Sequence, residues 1–454
     1  MKIRHLLYCV LALGSFTLQS CDDFLDIQPI GKVIPKTGAE YRALLTKAYD
    51  DVPEDRGLAT FRSDEMKMDG ASSEDYNAYF DIWSWNDDAP QETTSSFSWR
   101  TFYHTIYVAN YIIEHQDKIT EASTEEIRQL VGESYMLRAY MHFILVNLYG
   151  APYTHCDPAT TLAVPLKLDT DVDAVLKKAT VGQIYDQINR DIDQAENYLN
   201  VEKWEAGKTY RFNKLSAQAL RARVALYMGN WQGALDASKK VLQQQDTLVN
   251  LNNTKVLPNH YQSPEAIVSL EQVMTSNYFN AGNPSAKLLA KYRTGDLRKS
   301  KYYKQITAST TKLVKGGSNE YRCTFRTADF YLIAAEAWNE LNRPDSAKVY
   351  LEALMSKRYT PAQFTVQQEA LRQMDQTALR GEIADERLRE LAFEGHRWFD
   401  LRRTGRPALT KTHNGTAYTL EAGDSRYTLR IPSEAVAANP ELGKEQAQTV
   451  LTTQ

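Results

Sequence analysis

Apolar residues return every three or four positions along most of this chain, the spacing that keeps them on one face of a helix. In GAEYRALLTKAYDDV the face is Tyr41, Leu44, Leu45 and Ala48; in SWRTFYHTIYVANYIIEHQDKI it is Phe102, Ile106, Ala109 and Ile113. STEEIRQLVGESYMLRAYMHFILVNLYG opens on a Thr124 cap, with Glu125 and Glu126 where acidic groups suit the positive end of a helix. Thr180 and Gln183 head TVGQIYDQINRDIDQAENYL at a capping-box spacing. FNKLSAQALRARVALYMGNWQGALDASKKVL and TADFYLIAAEAWNELNRPDSAKVYLEALMSKR each read as two helices around a tight turn. The two align, GNWQGA (229–234) on NRPDSA (342–347) and Ala222 on Ala335. Gly or Asn ends the first helix and an Ala five residues later lets the second pack closely, the small-residue grammar of tetratricopeptide-like pairs. The expected fold class is all-α, a tetratricopeptide-like α-α superhelix with long irregular loops and minor β.

The stretch from Ala384 to Gly405, ADERLRELAFEGHRWFDLRRTG, tests whether chemistry hides in a helix. Leu388, Leu391, Ala392, Gly395, Trp398, Phe399 and Arg402 share a face, and Gly405 with Pro407 supplies a stop. Opposite charges sit at helical steps: Asp385 and Glu386 with Arg389, Glu394 with Arg397. His396 and Asp400 lie four apart, but two ligands do not close a metal site. The expectation is one amphipathic helix with His396 in the core or hydrogen-bonded, not an active site.

Two stretches break the helical pattern, residues 51–100 and 246–325, and irregular segments this long are usually functional loops. AIVSLEQV in the second fits a strand. In EDYNAYFDIWSWNDD, Trp83 and Trp85 alternate, so an extended backbone would set both rings on one face. Tyr79, Asn77 and Asn86 stand beside them, and MTSNYFNAGNPS adds Asn277, Tyr278 and Phe279. Rings that stack on sugar faces, with amides gripping hydroxyls, make these eight the candidate ligand residues; the alternative is that the Trp rings are tucked into the core.

Composition narrows the classes. The 454 residues carry a net charge of −4, which is not a nucleic-acid balance. The 27 Tyr and 7 Trp suit either a binding surface or helical-repeat cores. DTDVDAVLKKAT (169–180) opens like a calcium loop but has Ala174 and Thr180 where Gly and Glu belong. Gly207–Thr209 lacks the upstream Gly of a phosphate loop, and neither HExxH nor GxSxG occurs. Acidic pairs such as Asp87–Asp88 are plentiful, without geometry to select one as a hydrolase pair. No catalytic residue, metal ligand or cofactor is therefore expected. Cys156 and Cys323 are far apart in sequence, and a disulfide between them stays open.

MKIRHLLYCVLALGSFTLQSC reads as a targeting segment: a basic start, an apolar run too short for the ~20 residues of a membrane span, then Ser20-Cys21. That ending is similar to the lipobox of bacterial lipoproteins, in which the Cys is acylated, with Gln19 as a departure. Residues 1–20 are then signal, Cys21 the lipidation site, and acylation the anchor.

From here several stretches line up with one family. CDDFLDIQP, WRTFYHTIYVANYIIE, GESYMLRAYMHFILVNLYGAPY and TVGQIYDQINRDIDQAENYL resemble the SusD/RagB family of Bacteroidetes surface lipoproteins. ADFYLIAAEAWNELNR, DERLRELAFEGHRWFDLRRTG and IPSEAVAANPEL continue the resemblance in the family's order, over almost the whole chain. It implies a single domain over 21–454 with four tetratricopeptide-like pairs, divided near 21–245, a loop-rich insert 246–325, and 326–454. It implies a lipid-anchored protein on the outer face of the outer membrane, lying like a lid on a TonB-dependent transporter of the SusC type. Such proteins bind oligosaccharides, in some members peptides, and have no catalytic activity. Asp22 and Asp23 look like the acidic signal for surface export. The loop region before Arg326 is short for the family, and no fixed ligand motif transfers. The leading expectation is glycan capture and delivery to the transporter. Its rivals are a peptide-binding lid, a secreted hydrolase with a carboxylate pair, and a scaffold that binds only protein.

Overall fold

Several of the longer helices start where the chain writes a side-chain cap. The structure, a computed structural model, describes residues 34–68 and 74–444, so the targeting segment and Cys21 lie outside the described residues. In chain order come α1 (Gly38–Asp50), α2 (Asp55–Thr60), α3 (Glu74–Ser84), α4 (Trp99–Glu114), α5 (Thr124–Tyr149) and α6 (Val181–Tyr198). After α7 (Lys214–Tyr227) and α8 (Trp231–Gln244), three short helices punctuate the insert: α9 (Ser276–Ala281), α10 (Ala286–Leu289) and α11 (Arg298–Lys301). The chain continues through α12 (Thr327–Glu340), α13 (Pro344–Met355), α14 (Pro361–Arg372), α15 (Gln376–Glu390), α16 (Arg397–Thr404) and α17 (Ser433–Ala438).

The Thr180–Gln183 box opens α6 as its spacing predicts. On α5 the cap is Ser123, one residue before the expected Thr124. The Ser123 hydroxyl accepts from the Glu126 N–H, and the Glu126 carboxylate accepts from the Ser123 N–H at 2.8 Å. The stripe of α4 holds at Phe102, Ile106 and Ala109, then moves from Ile113 to Ile112. The aligned pairs are real. Gly229 (φ 68°) and Asn342 (φ 59°) both take the left-handed conformation that ends a helix, and these residue types adopt it most readily. Ala222, Ala234, Ala335 and Ala347 are all fully buried. The helices stack in sequence, α4 on α5, α5 on α6, α7 on α8, α8 on α12, and α12 on α13 and α15.

Strands are short: β1 (Met66–Met68), β2 (Leu162–Pro165), β3 (Lys178–Thr180), β4 (Ala266–Val268), β5 (Gly282–Pro284), β6 (Tyr303–Gln305), β7 (Thr311–Leu313), β8 (Phe325–Arg326), β9 (Leu409–His413) and β10 (Thr416–Leu420). They pair only as separate antiparallel ribbons. β1 with β5 ties the 51–100 region to the insert, and β4 with β8 closes the insert at its base. The reading of 51–100 as irregular is corrected, since it contains α2, β1 and α3. Tyrosine fills cores here: Tyr79, Tyr278, Tyr292, Tyr302 and Tyr303 form one apolar cluster with Phe61, Trp83 and Phe393. Cys156 is half-buried, Cys323 buried, and both are free thiols, so no disulfide joins them.

Ala384–Gly405 is not one helix. α15 stops at Glu390, Phe393 (φ 59°) and Gly395 (φ 72°) turn the chain, and α16 begins at Arg397. The turn lies tightly on α2, where a Cβ on Gly395 would sit 3.0 Å from the Cβ of Arg56. All seven residues of the expected face are nevertheless buried. Of the expected ion pairs only Glu386–Arg389 forms. Asp385 reaches Lys291, Arg397 reaches Asp64, and Glu394 turns inward to Arg326 and Lys315. His396 is buried, its Nε2 3.4 Å from the Arg56 guanidinium, while Asp400 pairs with Arg387 and Arg403. Burial first, then the cations Arg223, Arg56 and Arg387, hold His396 well below the usual imidazole range.

The inward carboxylates meet in a buried ionic knot. Glu390 accepts from Arg326 at 2.7 Å, Arg358 at 2.8 Å and Arg298 at 3.1 Å. Arg298 also grips Asp296 and Glu386, and Arg326 and Arg358 share Glu265. These seven side chains are no more than 1% exposed. The knot therefore fastens the stems of the insert to α15.

Candidate functional site

α3 decides where the predicted ligand residues go. Trp83 lies in its last turn and Trp85 just past its end, at φ 59°, and each is 1% exposed. The Trp83 indole N–H donates to the Met66 carbonyl and that of Trp85 to the Arg62 carbonyl, both at 2.9 Å. The Lys411 ammonium lies over both rings, 4.0 Å from Trp85 and 5.1 Å from Trp83, and donates to the carbonyls of Phe61 and Trp83. The expected extended platform is thus corrected, because the segment is helical and both rings belong to the core. Asn86 is spent locally, donating to Asp81 and to the Ala89 carbonyl, and Asn77 is half-buried on α3.

Tyr79, Asn277 and Tyr278, singled out from two distant stretches, do come together. They line a cleft of about 410 Å³ with Glu54, Gln272 and Asn319. The Tyr79 and Tyr278 rings meet edge to face at 5.1 Å, and Phe61 stacks on Tyr79 at 4.9 Å. The Thr275 hydroxyl caps α9 and accepts from the Tyr278 N–H, leaving Asn277 exposed and Phe279 half-buried near Gly317. Burial, then the charges of Asp55 and Glu54, raise the Tyr278 hydroxyl far above its ordinary value, so it stays protonated. Asn319 also borders a cleft of about 940 Å³ lined by Arg42, Tyr210, Tyr261 and Arg322.

A second group of rings escapes the sequence reading. Tyr76 and Phe80, one turn apart on α3, stack at 5.1 Å. His413 and Tyr418 of the β9–β10 hairpin meet Phe80 at 5.3 and 5.6 Å. The Tyr76 hydroxyl and His413 Nε2 are 3.0 Å apart. All four side chains are half-buried and rest on Trp83 or its neighbours. The i, i+4 spacing of Tyr76 and Phe80 was the available signal, hidden by taking the segment as extended. Asn414-Gly415, a hairpin-turn dipeptide, marked the other half.

Among the described residues no group of three or more His, Cys, Asp or Glu is arranged to hold a metal ion, and no helix is long and apolar enough to cross a membrane. Fold and surface together define a helical-repeat scaffold that carries aromatic and amide groups on its irregular side. Residues 23–226 match a family described as starch-binding and associating with the outer membrane, and residues 202–443 match the SusD family. The chain belongs to the SusD family. A SusD-like protein of Formosa agariphila is 23% identical, the match covering 87% of this chain and 90% of that protein. A SusD superfamily structure from Bacteroides thetaiotaomicron has a TM-score of 0.76 at 21% identity, covering 89% of this chain and 98% of the other. A laminarin-binding SusD-like protein has a TM-score of 0.62 at 21% identity, covering 81% and 92%.

Proposed function

We propose that this chain is a surface lipoprotein, anchored through Cys21, that binds glycan and passes it to a TonB-dependent transporter of the SusC type. The observation that carries the reading is the pair of aromatic features around α3: the half-buried rings of Tyr76, Phe80 and Tyr418, and the polar cleft of Tyr79, Asn277 and Tyr278. A flat ring against a sugar face gives affinity without buried charge, and amides and hydroxyls beside it bond the sugar hydroxyls. The laminarin-binding neighbour supports glycan as the ligand class. Binding without hydrolysis is favoured because Glu54 is the one carboxylate among the described residues lining the cleft, whereas glycosidic cleavage uses two.

Calorimetry with laminarin and with soluble starch tests the site. Phe80→Ala and Asn277→Ala are each expected to weaken glycan binding about five- to tenfold, the loss of roughly 1–1.5 kcal/mol of ring contact or amide hydrogen bonding. Unchanged affinity in both variants rules the α3 surface out. Anchoring is read separately: Cys21→Ala is expected to abolish fatty-acid labelling and release the protein from outer-membrane fractions. Persistent labelling places the lipid elsewhere.

A further inference from the structure

The insert carries a charge pattern that the aromatic surface does not use. From Lys287 to Lys304 the chain has seven Lys and Arg against one acid, Asp296, although its net charge is −4. Four of the seven are engaged. Arg298 sits in the buried knot; Lys287 meets Asp64 at 3.2 Å, Lys291 meets Asp385 at 2.7 Å and Arg293 meets Glu382 at 2.5 Å. The remaining three, Lys299, Lys301 and Lys304, are exposed and make no ion pair among the described residues. Lys299 and Lys304 line a cleft of about 930 Å³ together with Lys67 and Arg293. Its other polar walls are hydroxyls and an amide, from Thr294, Ser300, Thr311 and Gln305. Its one carboxylate among the described residues, Asp296, is turned into Arg298 at 2.8 Å.

Like charges gathered around one cleft repel one another, and an anion in the cleft relieves that repulsion. A bare charge patch would suit a flat anionic surface. A cleft that mixes ammonium groups with hydroxyl and amide partners suits a ligand carrying both charges and hydroxyls. Resting on the glycan reading above, we infer that this cleft binds the carboxylate or sulfate groups of an acidic polysaccharide. Affinity then comes from repeated charge contacts along the polymer and falls with ionic strength.

The full-length protein is titrated with polygalacturonate, its methyl ester, dextran sulfate and dextran, at low and high salt, alongside laminarin. Binding of polygalacturonate or dextran sulfate in preference to its uncharged counterpart is expected, and the tighter of the two names the anionic group. Lys299→Gln/Lys304→Gln is expected to weaken that binding about tenfold at low salt, leaving laminarin binding and the melting temperature unchanged. Lys239→Gln/Lys240→Gln, a pair of exposed lysines on α8, is the control for general charge. Acidic binding untouched by the cleft variant, or weakened equally by the control, overturns the inference. Binding of neutral glycan alone overturns it while the glycan reading stands; failure to bind any polysaccharide removes both. Lysine-dependent binding to phosphatidylglycerol vesicles with no acidic polysaccharide bound also overturns it, in favour of a lipid-facing patch.

Discussion

Replacing Glu390 by alanine is expected to destabilise the protein by about 3–5 kcal/mol, the range for removing one partner from a buried ion pair. The carboxylate accepts from three guanidinium groups that are themselves no more than 1% exposed, and its loss leaves each without that partner. Denaturant unfolding followed by circular dichroism checks the value; a loss below about 1 kcal/mol would show that the arginines find other partners. Acid is expected to act in the same direction. Burial alone would raise the Glu386 carboxyl, but Arg298 and Arg389 override it and hold its pKa down at about 2; Glu390 is likewise held well below its ordinary value. In acid the unfolded chain therefore binds protons that the folded chain refuses. The contribution of these groups is complete above the ordinary glutamate pKa of 4.5 and is lost as pH falls towards about 2. Unfolding curves collected from neutral pH downward should show stability dropping through that window.

Trp83→Ala is the second large effect, about 3–5 kcal/mol, because an indole that is 1% exposed leaves a cavity and an orphaned Met66 carbonyl. The same change removes the floor beneath Phe80 and Tyr418, which lie 5.7 and 5.6 Å from the indole. Thermal melting distinguishes this role from direct ligand contact. A normal melting curve with lost glycan binding would return Trp83 to the ligand surface; a large drop in melting temperature keeps it in the core.

Local signals were legible and tertiary ones were not. Gly229, Asn342 and the four small residues around them could be paired by eye because a helical hairpin is encoded within thirty residues. DYNAYFDIWSW carries two periods at once: alternation sets Trp83 with Trp85, and steps of three and four set Tyr76, Tyr79, Phe80 and Trp83 along a helix. Only packing against Phe61, Met66 and Lys411 selects the helix. The knot was invisible for a different reason. Its partners are separated by as many as 93 residues, and Glu394 has an equally plausible neighbour in Arg397 that it never uses. Tyr79 and Tyr278 were both recognisable as candidates, but their meeting at 5.1 Å depends on β1 pairing with β5. Asn414-Gly415 marked the hairpin that carries Tyr418, but the meeting of Tyr418 with Phe80 is set by tertiary packing alone.

The order of residues in the knot has a consequence for how the molecule assembles. Arg298, Arg326 and Arg358 all precede the glutamates at 386 and 390 that neutralise them. A chain made amino end first thus presents these cations before the glutamates of α15. Until residue 390 has arrived, the stems of the insert hold guanidinium groups with Glu265 and Asp296 alone to receive them. The knot that fastens the insert is thus complete only once residues 386 and 390, in the last quarter of the polypeptide, have been made.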